Sequence, residues 1–142
     1  NNFGPLQDYE KFIPVIINNI LNNKNIPVYG NGKQKREWIF VRDFVECLEF
    51  IIFKNLTREN FTIGSGIRFK NITLVKKILK LCRKNFQIRC ESSKVKNVKD
   101  RPGHDIEYKI NSSKINKIGW KSNTNFDKDL TETIKFYIKK NQ

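Results

Sequence analysis

The sequence predicts an α/β fold. Three observations carry this: helical apolar stretches alternate with short β-type runs, glycine and proline turns separate them, and no repeat or long linker interrupts the series. The first helix is expected over 10–23, where Phe12, Ile13, Ile16, Ile17, Ile20 and Leu21 recur at helical spacing; Pro14 falls near its first turn, where a helix tolerates proline. Short β-type runs at 27–29 and 38–41 flank Gly30, Asn31 and Gly32, which is turn chemistry. A second helix over 42–54 follows from Phe44, Val45, Leu48, Ile51 and Ile52 as its apolar face. ENFTIGSG, 59–66, predicts a compact strand that ends in Gly64 and Gly66. Thr73 is the expected N-cap of a third helix over 72–85, with Leu74, Ile78, Leu79 and Cys82 packed and its lysines solvated. Between 87 and 110 the pattern gives a short strand, a polar loop centred on DRPGHD, and a second β-type run, IEYKI. Asn111 is placed to cap a short helix over 112–118 that Gly119 ends, and a last helix over 127–139 has acids early and lysines late.

The 142 residues carry 28 Lys plus Arg against 14 Asp plus Glu, a formal charge of +14, with a single His. A hydrophobic share of 38% is enough for a packed core and argues against general disorder. The chain holds 21 Lys and 18 Asn but only 7 Arg and no Ala, a bias that A/T-rich codons produce without selection for a basic surface. A nucleic-acid surface concentrates Arg for bidentate contacts, whereas these lysines are scattered, so no nucleic-acid partner is expected; a non-enzymatic basic module remains the alternative class. Cys47, Cys82 and Cys90 share no CxxC spacing, which predicts reduced thiols rather than a disulfide framework, and no metal site. The run FIIF is too short to cross a bilayer and the N-terminus lacks a signal-peptide core, so a cytoplasmic location and no membrane partner are expected. With Asn1 where an initiator Met would stand, the chain reads as a fragment or a processed chain.

Standard catalytic motifs are missing, and no catalytic residue is assigned. The pairs Gly30/Gly32 and Gly64/Gly66 each lack the third glycine of the dinucleotide fingerprint. Tyr29 and Lys33 match a Tyr-x-x-x-Lys spacing, but the glycine turn between them does not align the two side chains as a helix would. Loop-borne polar groups are the better candidates. Arg36 offers a fork of donors suited to phosphate, Asn71 an amide, Tyr29 a flat ring for a base; DRPGHD adds an acid, a guanidinium, a turn and an imidazole. Taken singly, each has a plainer alternative. Arg36 could pair with a surface carboxylate for ~0–1 kcal/mol, Asn71 could be a turn residue, His104 a solvated imidazole and Tyr29 a packing residue.

Their order is more telling. NNFGP, EKFIP, PVYGNGKQKREWIFVRDFVECL, FTIGSG, FKN, DRPGHD and INSSKINKIGW, followed by a terminal helix, resemble the C-terminal portion of the dTDP-glucose 4,6-dehydratases, which are extended short-chain dehydrogenases/reductases. The first motifs are shared with nucleotide-sugar epimerases and decarboxylases; DRPGHD with Tyr108 and the Asn-capped helix points to the dehydratases. The resemblance implies the last element of a Rossmann sheet plus a small α/β substrate-binding lobe over 1–142, with the NAD-binding Rossmann part absent. It implies a lyase that uses NAD to oxidise carbon 4 of dTDP-glucose or a related nucleotide sugar, loses water across carbons 5 and 6, and re-reduces carbon 6. NAD would be held mainly by the missing part, the full-length enzyme would be a homodimer, and the chain alone would be inactive. A fragment of a UDP-sugar epimerase or decarboxylase is the near alternative.

Carried onto this chain, the same resemblance implies a set of substrate contacts. Asn1 would meet the diphosphate region, and Lys11 with Phe12 would approach the nucleotide. Pro27, Val28 and Tyr29 would form the wall for the base, and Arg36 and Asn71 would hold the diphosphate. Asp100, Arg101, Pro102, Gly103 and His104 would close over the diphosphate and ribose. Phe3, Phe12, Glu37, Thr62 and Ser65 stand where the dehydratases usually carry Tyr, Leu, Asp, Asn and Gly; the Phe12 ring bears most directly on the nucleotide contact.

Overall fold

The computed structural model describes residues 1–56 and 58–141. Helix α1 (Phe12–Leu21) follows the extended Lys11 and accommodates Pro14 in its first turn, where a backbone N–H has no intrahelical partner. Its buried face, with Ile13, Ile16, Ile17 and Ile20, packs against α3 (Asn71–Phe86) and α5 (Phe126–Lys140). Those helices contribute Leu74, Val75, Ile78 and Cys82, and Leu130, Ile134 and Tyr137. A fully buried aliphatic side chain of this kind stabilises by about 1.5–3 kcal/mol relative to an exposed one. The Asn125 side chain caps α5 by accepting from the Lys128 N–H, and the acids and lysines of that helix sit at the ends its dipole favours.

Strand pairing differs from the expectation. Among the described residues no sheet exceeds two strands: β1 (Asn2–Phe3) runs parallel to β4 (Ile39–Phe40), β2 (Ile26–Tyr29) parallel to β6 (Val95–Val98), and β3 (Lys35–Glu37) antiparallel to β5 (Arg68–Lys70). The runs 27–29 and 38–41 therefore do not pair with each other across their turn. ENFTIGSG forms no strand: among the described residues its neighbours are held through side chains, Thr62 Oγ1 donating to the Asn111 carbonyl, Ser65 Oγ to the Trp38 carbonyl and the Gly66 N–H to the Glu37 carboxylate, and no backbone ladder forms. IEYKI is reduced to one bridge between Lys35 and Glu107. Thr73 does not cap α3; the helix starts earlier, and its leading Asn71 and Ile72 N–H groups donate to the carbonyls of Gln34 and Gly32 at 3.0 Å each. Asn111 does act at the start of α4 (Ser113–Lys117), its Oδ1 accepting from the Ser113 N–H at 3.1 Å, and Gly119 follows at φ +113°.

Helix α2 (Val41–Phe53) buries only part of the face its pattern suggests: Phe44 and Ile51 pack inward, and the packed side is shifted toward Asp43 and Cys47. Asp43 and Cys47 are buried, while Val45, Leu48 and Ile52 are 47%, 41% and 64% exposed. Two hydroxyls, Ser122 Oγ and Thr124 Oγ1, donate to the Asp43 carboxylate and so satisfy it. A second apolar cluster of Ile39, Cys47, Ile115 and Trp120 lies beneath. All three cysteines are free and buried; burial pushes the Cys47 thiol up to about 11 and the Cys82 thiol to about 12, which leaves both almost wholly protonated at neutral pH. No helix among the described residues is long and apolar enough to cross a membrane.

Candidate functional site

A cavity of about 720 Å³ opens where the start of α1, the end of β2, strand β3 and the loop before Tyr108 converge. Nine of the sequence-predicted residues line it: Asn1, Lys11, Phe12, Pro27, Tyr29, Arg36, Asn71, Arg101 and His104. Four do not. Val28 is wholly buried in the core, since alternation along β2 turns Pro27 and Tyr29 to the cavity and Val28 away. Pro102 and Gly103 are exposed turn residues, and Asp100 stands behind His104. Glu10, Val15, Trp38 and Tyr108 also line the cavity. No motif in the sequence marks Trp38 or Val15 for the site, and Tyr108 is marked only through the resemblance.

Arg36 dominates the electrostatics. Alternation along β3 places it opposite Phe69 of β5, only 8% exposed, with its guanidinium 4.3 Å from the Tyr108 ring centroid. Two of its N–H groups are spent on the carbonyls of Lys35 (2.8 Å) and Asp105 (3.0 Å). Among the described residues it has no carboxylate partner: Glu37 beside it accepts instead from the backbone N–H groups of Gly66 and Ile110, and Asp105 accepts from the Tyr108 hydroxyl. That bond to Asp105 raises the Tyr108 phenol above its usual range. A nearly buried guanidinium without an anion, facing a cavity, is a site that favours an anionic ligand. Arg101 adds a second cation, stacked 4.5 Å over the Tyr29 ring. Lys11 supplies a third, shared with Glu10 at 2.9 Å. The Asn71 side chain, 8% exposed, makes no hydrogen bond among the described residues and is free to donate its amide.

The loop that carries Arg101 and His104 owes its shape to Arg101-Pro102-Gly103-His104. Pro102 presets φ, Gly103 takes φ +66°, and the His104 N–H donates to the Arg101 carbonyl at 3.2 Å, as in a type II turn. The turn folds His104 back onto Asp100, Nδ1 to Oδ1 at 2.6 Å, while Gln34 Nε2 donates to Oδ2 at 2.7 Å and the Arg101 N–H to Oδ1 at 2.9 Å. The His104 hydrogen bond above all holds the Asp100 carboxyl below its usual range, with the Arg101 N–H and Gln34 acting in the same direction. A lowered carboxyl stabilises the folded loop above its unfolded value of about 3.9 and loses that contribution as pH falls through the lowered one. We expect amide-exchange protection at Arg101 and His104 to hold down to about pH 4 and to collapse below it; loss beginning near neutrality would contradict this.

A family model described as GDP-mannose 4,6 dehydratase matches residues 1–133. The chain belongs to that family. Within the family it is 37% identical over 144 aligned residues to a dTDP-glucose 4,6-dehydratase of Haemophilus influenzae, covering 97% of this chain and 43% of the relative. A dTDP-glucose 4,6-dehydratase from Bacillus anthracis, solved in complex with NAD, superposes with a TM-score of 0.83 at 33% identity, over 98% of this chain and 42% of that one. A UDP-N-acetylglucosamine 4-epimerase from Methanobrevibacter ruminantium, in complex with UDP-N-acetylmuramic acid, gives a TM-score of 0.81 at 27% identity over 99% of this chain and 44% of that one. The chain thus spans about two fifths of the length of the relatives it matches, consistent with the C-terminal portion implied by its motif order. Neither glycine pair is placed as a dinucleotide-binding turn. The Gly30–Gly32 turn leads from strand to strand and Gly64–Gly66 leads into β5, so neither runs from a strand into a helix N-terminus, where a dinucleotide pyrophosphate is cradled.

Proposed function

We propose that this chain is the part of a dTDP-glucose 4,6-dehydratase that grips the nucleotide sugar, the complete enzyme being an NAD-dependent lyase and a homodimer. The observation that carries the reading is Arg36: a guanidinium 8% exposed, braced on two carbonyls and a tyrosine ring, with no carboxylate partner among the described residues and a cavity in front of it. Arg36, Arg101 and Lys11 would share the two phosphates, Asn71 would donate its amide to a phosphate oxygen, and Phe12, Pro27 and Tyr29 would form the flat walls for the base. No hydride chemistry is assigned to these residues, which orient the ligand.

Adding dTDP to the purified chain should raise its melting temperature, since mass action stabilises the folded state by about 2.7 kcal/mol at a hundredfold excess over Kd. The same preparation should not turn over dTDP-glucose, because neither glycine turn among its described residues is placed to hold the hydride acceptor. The similarity to the Methanobrevibacter epimerase keeps a UDP-sugar enzyme as the second reading. A larger shift with UDP than with dTDP would favour that enzyme, and turnover by the chain alone would overturn the proposed division of labour.

A further inference from the structure

We propose that Gln34 is a positioning residue for His104: acting through Asp100, it fixes the imidazole tautomer presented to the cavity. A carboxylate only accepts, so the 2.6 Å contact with Asp100 places the hydrogen of the neutral ring on Nδ1 and leaves Nε2 as the nitrogen free for a ligand. Of the three donors on Asp100, the His104 ring and the Arg101 N–H belong to the same loop and would move with it. Gln34 is the donor from the framework. It is 7% exposed, its carbonyl accepts the first N–H of α3 from Asn71, and its Nε2 reaches Asp100 Oδ2 at 2.7 Å. Its amide is locked in that sense, since the reverse orientation would turn oxygen toward carboxylate. The glycine turn leaves the space: a Cβ on Gly30 would stand 2.7 Å from Asp100 Oδ2.

The groups facing His104 are few. Tyr29 meets it edge-on at 6.2 Å, Arg101 lies over the Tyr29 ring at 4.5 Å, and Arg36, Lys11, Glu10 and Tyr108 stand on the remaining walls. Asp100 is the carboxylate in contact, so the tautomer depends on how Asp100 is held. With Gln34 in place, a neutral His104 offers an acceptor at Nε2 for a ligand hydroxyl, and a protonated one offers a donor for a phosphate oxygen. This use of His104 rests on the nucleotide-sugar reading, whereas the tautomer itself does not.

His104 is the single histidine of the chain, so its ring nitrogens can be followed without assignment by nitrogen NMR. The wild type should show the Nδ1–H form at alkaline pH. Gln34→Ala should mix the tautomers and weaken dTDP binding about 3- to 10-fold, the worth of an ordinary hydrogen bond. Gln34→Glu keeps the shape but sets a second carboxylate against Asp100, so binding should be weaker than in the wild type at neutral pH. Measured as the ratio to the wild type at the same pH, so that protonation of His104 itself cancels, it should recover on acidification, when the new side chain regains a proton to donate. The tautomer ratio is the readout that a purely structural role would not move, and the relative recovery serves if the alanine variant fails to fold. A single unchanged tautomer in folded Gln34→Ala, or a Gln34→Glu deficit that stays constant with pH, would overturn the proposal. Failure of the wild type to bind dTDP would instead overturn the nucleotide-sugar reading and leave the tautomer result standing.

Discussion

Replacing Arg36 with Ala should lower affinity for dTDP by about 10- to 100-fold, the loss of charge-assisted hydrogen bonds worth ~1.5–3 kcal/mol. The size of the effect comes from the surroundings: nearly buried beside the cavity, the guanidinium would be desolvated already and would lose little water on binding phosphate. Arg36→Lys should recover only part of the loss. A lysine keeps the charge but has no planar fork with which to span the carbonyls of Lys35 and Asp105 while stacking on Tyr108. Isothermal titration of both variants at two salt concentrations measures this. If the protein were instead a basic nucleic-acid module, Arg36→Ala would barely matter, and binding would fall steeply with salt through many scattered lysines.

The second large effect is expected at Gly64. An added Cβ there would stand 2.2 Å from Glu37 Oε1 and 3.1 Å from the Ile110 side chain, in a backbone conformation that is otherwise ordinary for any residue. Glu37 cannot retreat cheaply. It is 3% exposed, and its two oxygens accept from the Gly66 N–H at 2.9 Å and the Ile110 N–H at 3.3 Å, so moving it strands a buried carboxylate and two backbone donors. Overpacking and lost bonds together cost about 2–5 kcal/mol, and Gly64→Ala should lower the melting temperature by roughly 10 °C or more. Gly66→Ala is the control. Nothing lies within 4 Å of its Cβ position, and the penalty is only that of φ +78°, about 1 kcal/mol. Equal destabilisation by the two substitutions would refute the steric account of Gly64.

The helices were legible because their apolar residues recur every three or four positions. The acid-to-lysine polarity of α5 was legible as well, whereas its Asn125 cap was not assigned. The strands were not. KRE and RFK are charged sequences that pair because the turn and α3 bring them together, a tertiary cause that local pattern does not encode. Conversely, FTIGSG has the composition of a strand, yet among the described residues it is held by side-chain contacts to 37–38 and 111–112 rather than by a ladder. In the site, Tyr29, Arg36, Asn71, Arg101 and His104 could be named from motif order, and the structure gathers them around one cavity. Val28 shares their motif yet faces the core, which alternation along β2 decides. Gln34 and Tyr108 went unassigned because their importance lies in contacts across 66 residues to Asp100 and onto the Arg36 plane, neither of which has a sequence spacing to betray it.

The two bonds that open α3 tie the ligand cavity to the core. Because Asn71 and Ile72 donate to Gln34 and Gly32 rather than to a side-chain cap, the first turn of this helix cannot fray without releasing the glycine turn, and the glycine turn cannot lift without baring the helix end. The two segments open as one cooperative unit. A ligand held only at the cavity would therefore suppress local unfolding along a helix whose other face packs against α1 and α5, and occupancy of the site would be felt as rigidity in the centre of the molecule.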